Sequence, residues 1–101
     1  MVVWITTPNA RVSRRLATTL VSERLAACVN ILGGLRSVYR WKDKIENASE
    51  YWLIAKTTRA QFSVLKRRVK ELHPYDVPEI IAFPVLCGHL PYLSWVAASV
   101  S

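Results

Sequence analysis

The chain begins with a short uninterrupted apolar segment and continues with apolar residues at helical spacing. Residues 2–5 are β-branched or aromatic and are apolar on both faces, which predicts a buried β-strand. Thr7 or Asn9 is expected to accept hydrogen bonds from the first free amides of the next element. That element is predicted to be an amphipathic helix, because apolar side chains recur every four residues in two adjacent rows. These rows are Val12, Leu16 and Leu20, and Ala17, Val21 and Leu25.

A period of two replaces the helical period after Ala27 and predicts two long strands joined by a hairpin. Gly33-Gly34 permits a bend or bulge in the first strand, which extends to Trp41. The tip is predicted at residues 42–44, because Asp43 tolerates unusual backbone angles. One face of the return strand carries Glu46, Ala48, Glu50, Trp52, Ile54 and Lys56.

The last part of the chain predicts a second helix, a fourth strand and a final helix. Residues 58–61, Thr-Arg-Ala-Gln, match a capping box, and apolar residues then recur at helical spacing up to His73. Pro74 ends this helix. Residues 80–85 form the predicted fourth strand, and residues 92–100 form a short terminal helix.

The order of these elements predicts one α/β (α+β) domain over residues 1–101. This order of elements is typical of a ferredoxin-like split βαβ sandwich with a long β-hairpin and a C-terminal helix. The first two helices are expected to cover one face of the sheet. Cys28 and Cys87 then lie at opposite sheet edges, so an intrachain disulfide is not expected.

The other face of the sheet should be polar if water covers it. The first and fourth predicted strands and the second half of the third are instead apolar on both faces. Because one short helix is too small to cover such a face, the pattern predicts a homo-oligomer. Residues 41–46 form the arm that is expected to reach a neighbouring copy.

The composition is typical of an ordered domain. The chain has 101 residues, of which 51% are hydrophobic and 21% charged, and this excludes intrinsic disorder. Residues 80–101 carry no Asp, Glu, Lys or Arg, but Pro84, Gly88 and Pro91 interrupt this segment, so no membrane span is predicted. Residues 2–5 are too short for the core of a signal peptide, and a cytoplasmic location is therefore expected.

Short motifs extend over nearly the whole chain. They are SERLAACVNI at 22–31, Ser37-Val-Tyr with Trp41, Lys44-Ile-Glu46, Glu50, Lys56-Thr57, His73-Pro-Tyr75, Val77-Pro-Glu79 and Tyr92-Leu-Ser-Trp95. Their joint order and spacing resemble the CutA divalent-cation-tolerance family. The resemblance implies a ferredoxin-like subunit in a tight homotrimer whose long hairpins pair between subunits, similar to the PII signalling proteins. It also implies a role in tolerance of copper and other divalent metal ions.

Several positions depart from the pattern of this family. Some of its bacterial members are proposed to hold copper through a first-strand cysteine and a His-His pair before the Pro-Tyr motif. The matching positions here are Ile5, Leu72 and His73, so one of the three ligands remains. Asp43 and Gly33 stand where glycine and proline are usual, which alters turn chemistry alone.

The residues themselves offer His73, Cys87 and His89 as metal candidates, because thiolate and imidazole groups favour soft metals such as copper. Cys28 lies in an apolar strand, where a buried structural cysteine is the ordinary outcome. A specific site needs three or four converging ligands. The pattern therefore leaves open whether these residues bind no metal or contribute to a site between subunits.

A second constellation joins the hairpin to the loop before the fourth strand. It comprises Trp41, Glu46, Glu50, Lys56, His73, Tyr75 and Glu79. We expect these residues to contribute to a polar pocket at a subunit junction that receives a cation or a small molecule. In the structural alternative, Glu50 and Lys56 form buried ion pairs between subunits and His73 caps a helix.

The net charge of +7 adds another hypothesis, a basic RNA-binding module with the same element order. Residues 50–54 lack the Gly-Phe-rich motif with which such modules bind RNA. A solvated basic helical surface is therefore favoured, and nucleic acid is not an expected partner.

The chain contains no phosphate-binding loop, nucleophile elbow or HExxH motif, so no catalytic activity is assigned. The favoured hypothesis is a trimeric divalent-metal-response protein that binds a metal ion or small ligand between subunits. A PII-like signalling or protein-anchoring module without metal is the remaining alternative.

Overall fold

Four strands form one antiparallel sheet in a computed structural model that describes residues 1–101. The strands are β1 (Val2–Thr7), β2 (Cys28–Trp41), β3 (Lys44–Lys56) and β4 (Ile80–Phe83). The helices are α1 (Ala10–Ser22), α2 (Phe62–Leu72) and α3 (Leu90–Ser99), and the 3₁₀ turn Arg59–Gln61 precedes α2. The strand order β2-β3-β1-β4 confirms the ferredoxin-like topology and places β2 and β4 at opposite edges.

The core lies between α1, α2 and one face of the sheet. Val3, Ile5 and Leu53 from the strands pack in one cluster with Leu16 of α1 and Leu65 of α2. All five are fully buried, and burying each such side chain contributes about 2 kcal/mol. The prediction that both helices cover the same sheet face is confirmed.

Helix α1 has the predicted start but ends earlier than its apolar rows indicate. The side chain of Asn9 accepts a hydrogen bond of 2.9 Å from the Val12 amide and caps the helix. Arg24 adopts a left-handed backbone conformation with φ of 60°, which ends the helix. The Leu25 amide then donates to the Leu20 carbonyl at 2.9 Å, and Leu25 turns back into the core.

The hairpin between β2 and β3 turns at Lys42 and Asp43, as predicted. Both residues have positive φ, 50° and 64°, the combination that suits the twist of a two-residue hairpin turn. The molecule measures 44 × 26 × 22 Å. Because strands rise about 3.3 Å per residue, the 13 residues of β3 span most of the longest dimension.

A bulge at Gly33-Gly34 determines which side chains of β2 lie on each face of the sheet. Leu32 pairs with Trp52 of β3, whereas Leu35 pairs with Glu50, so β2 carries one extra residue. Gly34 has a backbone φ of +79°, a conformation that residues with a side chain rarely adopt. Even-numbered residues before the bulge and odd-numbered residues after it therefore share one face.

The predicted capping box at the start of the second helix is wrong. In a capping box, the Gln61 amide would donate a hydrogen bond to the Thr58 hydroxyl. In the structure, this amide donates to the Thr58 carbonyl at 3.2 Å. This bond closes a 3₁₀ turn, and Thr58 makes no side-chain cap.

The fourth strand also ends before Pro84, two residues earlier than predicted, because proline has no amide hydrogen for the hydrogen-bond ladder of the sheet.

The sheet face opposite α1 and α2 is apolar, as the strand pattern predicted. Trp4 lies edge-on to Trp52 and to Phe83, with ring centroids 4.6 and 4.7 Å apart. Leu32 and Ile81, on the two edge strands β2 and β4, are each almost half exposed. None of the three helices combines the length and apolar character needed to cross a membrane.

Candidate functional site

A cleft of about 650 Å³ lies between the hairpin and the loop that follows α2. The acidic and aromatic residues of its lining define what we call the acidic cleft: Tyr39, Trp41, Glu50, Tyr75, Asp76 and Glu79. Strands β2 and β3 supply the first three, and the loop supplies the others. The bulge in β2 places Tyr39 and Trp41 on the same sheet face as Glu50. A cleft of this volume is in the range of small-molecule sites.

Glu50 is the most buried charged residue of the acidic cleft, with 6% of its surface exposed. The Tyr75 hydroxyl donates a hydrogen bond of 2.6 Å to its Oε2 atom. No lysine or arginine forms a salt bridge with this carboxylate, since both salt bridges of the chain involve Arg68. A buried carboxylate without a cationic partner is unfavourable for the fold and is typical of functional sites.

His73 holds the loop that carries Tyr75. Its Nδ1 atom accepts a hydrogen bond of 3.1 Å from the Tyr75 amide, so the ring proton resides on Nε2. Nε2 donates to the Thr6 carbonyl of β1 at 2.7 Å. Both nitrogens of this buried imidazole are therefore occupied, and His73 acts as a positioning residue with no nitrogen free for a metal ion.

The local environment raises the pKa of two groups of the cleft. Burial raises the pKa of the Glu79 carboxyl, and the charge of Glu50 raises it further. The pKa of the Tyr75 hydroxyl is also raised, by burial, by its hydrogen bond to Glu50 and by the Glu50 charge. Tyr75 therefore remains a donor at neutral pH, and the cleft favours ligands that add positive charge.

The remaining members of the predicted constellation lie elsewhere. Glu46 pairs with Tyr39 on the same face of the hairpin but does not line the cleft. Lys56 lies at the far end of β3, where its ammonium group contacts the Asn30 side chain. It lines a second cavity of about 230 Å³ together with His89. The structure thus brings together Trp41, Glu50, Tyr75 and Glu79, with His73 behind them.

The cysteines and His89 form no metal centre within one chain. Cys28 and Cys87 are both free thiols, and Cys87 is exposed. Cys28 instead lies 3.6 Å from the hydroxyl of Tyr92, and this contact is the main cause that raises the pKa of Tyr92. No group of three or more His, Cys, Asp or Glu side chains in the chain has the arrangement to hold a metal ion.

Tyr39 and Asp76 line the cleft but were not singled out from the sequence. A signal for Tyr39 was available, because it alternates with Trp41 on the predicted strand face. Asp76 directly follows Tyr75, but it lies in a loop without periodicity, so no pattern indicates its direction.

A family model described as the CutA1 divalent ion tolerance protein matches residues 1–99. A divalent-cation tolerance protein CutA from Thermus thermophilus is 53% identical over 95 residues, which cover 94% of this chain and 92% of that protein. The human protein CutA is 44% identical over 93 residues, which cover 92% of this chain and 52% of that protein. The chain thus spans about half the length of its human relative.

Solved structures agree with the sequence comparison. The structure of the Thermus thermophilus divalent cation tolerance protein has a TM-score of 0.97 and 50% identity, covering 99% of this chain and 97% of that one. A CutA from Archaeoglobus fulgidus, named as a periplasmic divalent cation tolerance protein, has a TM-score of 0.96 and 36% identity, with coverage of 99% and 97%.

Proposed function

The chain belongs to the CutA1 divalent ion tolerance family, and on that premise we propose that it is a homotrimeric, non-catalytic binding module of the divalent-metal response. Its acidic cleft receives a metal ion or a small cationic ligand. The observation that carries this proposal is the Glu50 carboxylate, which is buried, hydrogen-bonded to Tyr75 and unpaired with any cation. A positively charged ligand offsets the unfavourable burial of this charge.

The apolar sheet face supports the trimer. Leu32, Ile81 and Phe83 on that face are each more than 40% exposed in a single chain, a distribution that favours burial against another copy. The projecting hairpin provides the arm for contact between subunits. Light scattering should therefore give about 35 kDa, three times the chain mass of 11.5 kDa. A folded monomer at micromolar concentration would contradict the assembly.

Direct coordination of a metal ion requires side chains from more than one chain, because a single chain offers no group of three ligands. The copper ligand set proposed for some bacterial relatives is absent, since Ile5 and Leu72 have no donor atoms and both His73 nitrogens are occupied. The cleft therefore receives a cation chiefly through charge and shape. We also propose a cytoplasmic location, although one relative is named as periplasmic.

Paramagnetic Mn²⁺ tests the site without assuming the identity of the ligand. In NMR spectra of the intact assembly, Mn²⁺ should broaden the amide signals of Glu50 and Tyr75 first. Glu50→Gln should abolish this selective broadening, because it removes the buried charge. Glu46→Gln is the matched control, since Glu46 lies on the same strand face outside the cleft. Equal broadening in both variants would overturn the proposal.

A further inference from the structure

The aromatic and acidic groups of the cleft together specify a class of ligand. We propose that the acidic cleft binds a small free organic cation that carries an ammonium group, in preference to a metal ion. This inference rests on the proposed function of the cleft as a cation site and names the chemistry of its ligand. The supporting observations are the distribution of charge, the aromatic lining and the size of the cleft.

The cleft concentrates negative charge in a basic protein. Three of the seven acidic residues of the chain, Glu50, Asp76 and Glu79, line it although the net charge is +7. One basic residue, Arg36, also lines it, but its guanidinium donates to the side chains of Ser49 and Asn47. The carboxylates therefore outnumber the cations in the cleft, and a cationic ligand is favoured.

Glu50 provides an anchor for such a ligand. One carboxylate oxygen accepts the hydrogen bond from Tyr75, and no protein group donates to the other oxygen. Every fully buried side-chain oxygen of the chain has a hydrogen-bond partner. Because this oxygen has none, it retains some contact with solvent. It is therefore available to an ammonium group that enters the cleft.

Three aromatic residues, Tyr39, Trp41 and Tyr75, also line the cleft. Aromatic faces attract ammonium groups through the ring quadrupole, and tryptophan does so most strongly. The Lys42 Nζ atom already lies 5.9 Å from the centroid of the Trp41 ring. The Trp41 ring thus engages an ammonium group of the chain itself, although Lys42 does not line the cleft.

The dimensions of the cleft favour an organic cation over a bare metal ion. A divalent ion such as Ca²⁺ requires about six oxygen ligands within about 2.5 Å, and the acidic side chains here do not converge in that way. The cleft volume of about 650 Å³ instead accommodates a molecule of several heavy atoms. The faces of aromatic rings are poor ligands for such a metal ion, but they stabilise an alkylated ammonium group.

Choline and its neutral isostere 3,3-dimethylbutan-1-ol test this inference, because the two differ chiefly in charge. Titrations of the intact assembly are followed by NMR at the Trp41 indole and the Tyr75 amide. We expect choline to shift both signals, whereas the neutral isostere leaves them unchanged. Glu50→Gln should weaken choline binding at least about tenfold, and the Glu46→Gln control should change it less than about twofold.

A second pair of variants avoids any change in the buried carboxylate. Trp41→Leu should weaken choline binding about fivefold, because it removes the indole face. Trp95→Leu is its control, since Trp95 is similarly exposed but lies in α3 outside the cleft. Equal affinity of these two variants would overturn the role of the aromatic lining.

Other outcomes separate this inference from the proposed function. If Mn²⁺ broadening depends on Glu50 and choline does not bind, the cleft is a cation site but the inference is wrong. If neither binds, both are wrong. If choline binds only to the Lys56→Gln variant, Lys56 of a neighbouring subunit occupies the cleft in the parent protein. This result would also overturn the inference. The parent protein could instead co-sediment with phosphatidylcholine vesicles while Glu50→Gln does not. The ammonium group would then belong to a lipid headgroup, and the inference of a small free cation would be wrong.

Discussion

The Tyr75 hydroxyl donates a hydrogen bond of 2.6 Å to the Glu50 carboxylate across 25 positions of sequence. This bond ties the loop after α2 to the middle of the hairpin. His73 supports it from behind, because its imidazole bridges the Thr6 carbonyl and the Tyr75 amide. The acidic cleft is therefore built from three separate parts of the chain and depends on the completed fold.

Tyr75→Phe should destabilise the protein by about 1.5 kcal/mol, because it leaves a buried carboxylate oxygen without its donor. Urea unfolding at a fixed protein concentration measures the change, since the stability of an oligomer depends on concentration. Tyr39→Phe is the matched control, because the Tyr39 hydroxyl makes no hydrogen bond to Glu50. Equal unfolding midpoints for the two variants would show that the bond to Glu50 contributes nothing.

The effect of Glu79 on stability should depend on pH. Its pKa is raised above the ordinary value of 4.5, chiefly by burial and also by the Glu50 charge, so the folded state binds this proton more tightly than the unfolded chain does. The ionised side chain therefore destabilises the fold once the pH rises through the folded pKa. Glu79→Gln should raise the urea midpoint near pH 7, whereas parent and variant should agree below about pH 4.

The corresponding control is Glu46→Gln, which changes a carboxylate of the hairpin outside the cleft. At neutral pH, Glu46→Gln should not raise the urea midpoint above that of the parent as Glu79→Gln does. A Glu79→Gln variant that is less stable than the parent at neutral pH would contradict the electrostatic description of the cleft.

Cu(I) binding under reducing conditions should depend more on Cys87 than on His73. Cys87 is an exposed free thiol, and its thiolate forms a stronger bond to a soft metal than imidazole does. His73→Ala should leave most of the Cu(I) affinity, because both nitrogens of the imidazole already serve internal hydrogen bonds. Titration calorimetry compares this variant with Cys87→Ser. Loss of binding in His73→Ala alone would instead assign copper to the loop after α2.

Nucleic acid should bind weakly and without sequence preference, because the net charge of +7 provides attraction to phosphate alone. Fluorescence anisotropy with duplex and single-stranded oligonucleotides should show that the affinity falls steeply as salt increases. A complex that resists salt and selects a sequence would favour the RNA-binding alternative over a metal-response module.

The periodic parts of the fold could be predicted from sequence, and the local departures could not. The spacing of Leu16, Leu20, Leu65 and Val69 indicates helical faces because burial imposes a regular period, and these residues are buried. The capping box at Thr58 failed because a carbonyl and a hydroxyl compete for one amide. Such a choice depends on local geometry rather than on residue type.

The site was predictable only in part, for a related reason. Glu50 and Lys56 share a strand face, which the period of two predicts, but a long strand separates them by about 20 Å. Alternation identifies the face on which a side chain lies but not its neighbours from other elements. The contact of Tyr75 with Glu50 and the orientation of Asp76 depend on the path of the loop after α2, which carries no periodic signal.

Anomalous diffraction from crystals of the oligomer soaked in manganese tests the central claim most directly. We predict three chains around a threefold axis, with the apolar sheet faces buried and an anomalous peak beside the Glu50 carboxylate of each chain. A monomeric arrangement, or a Glu50 carboxylate paired with Lys56 of a neighbouring subunit and no manganese beside it, would contradict the claim that the acidic cleft is a cation-binding site.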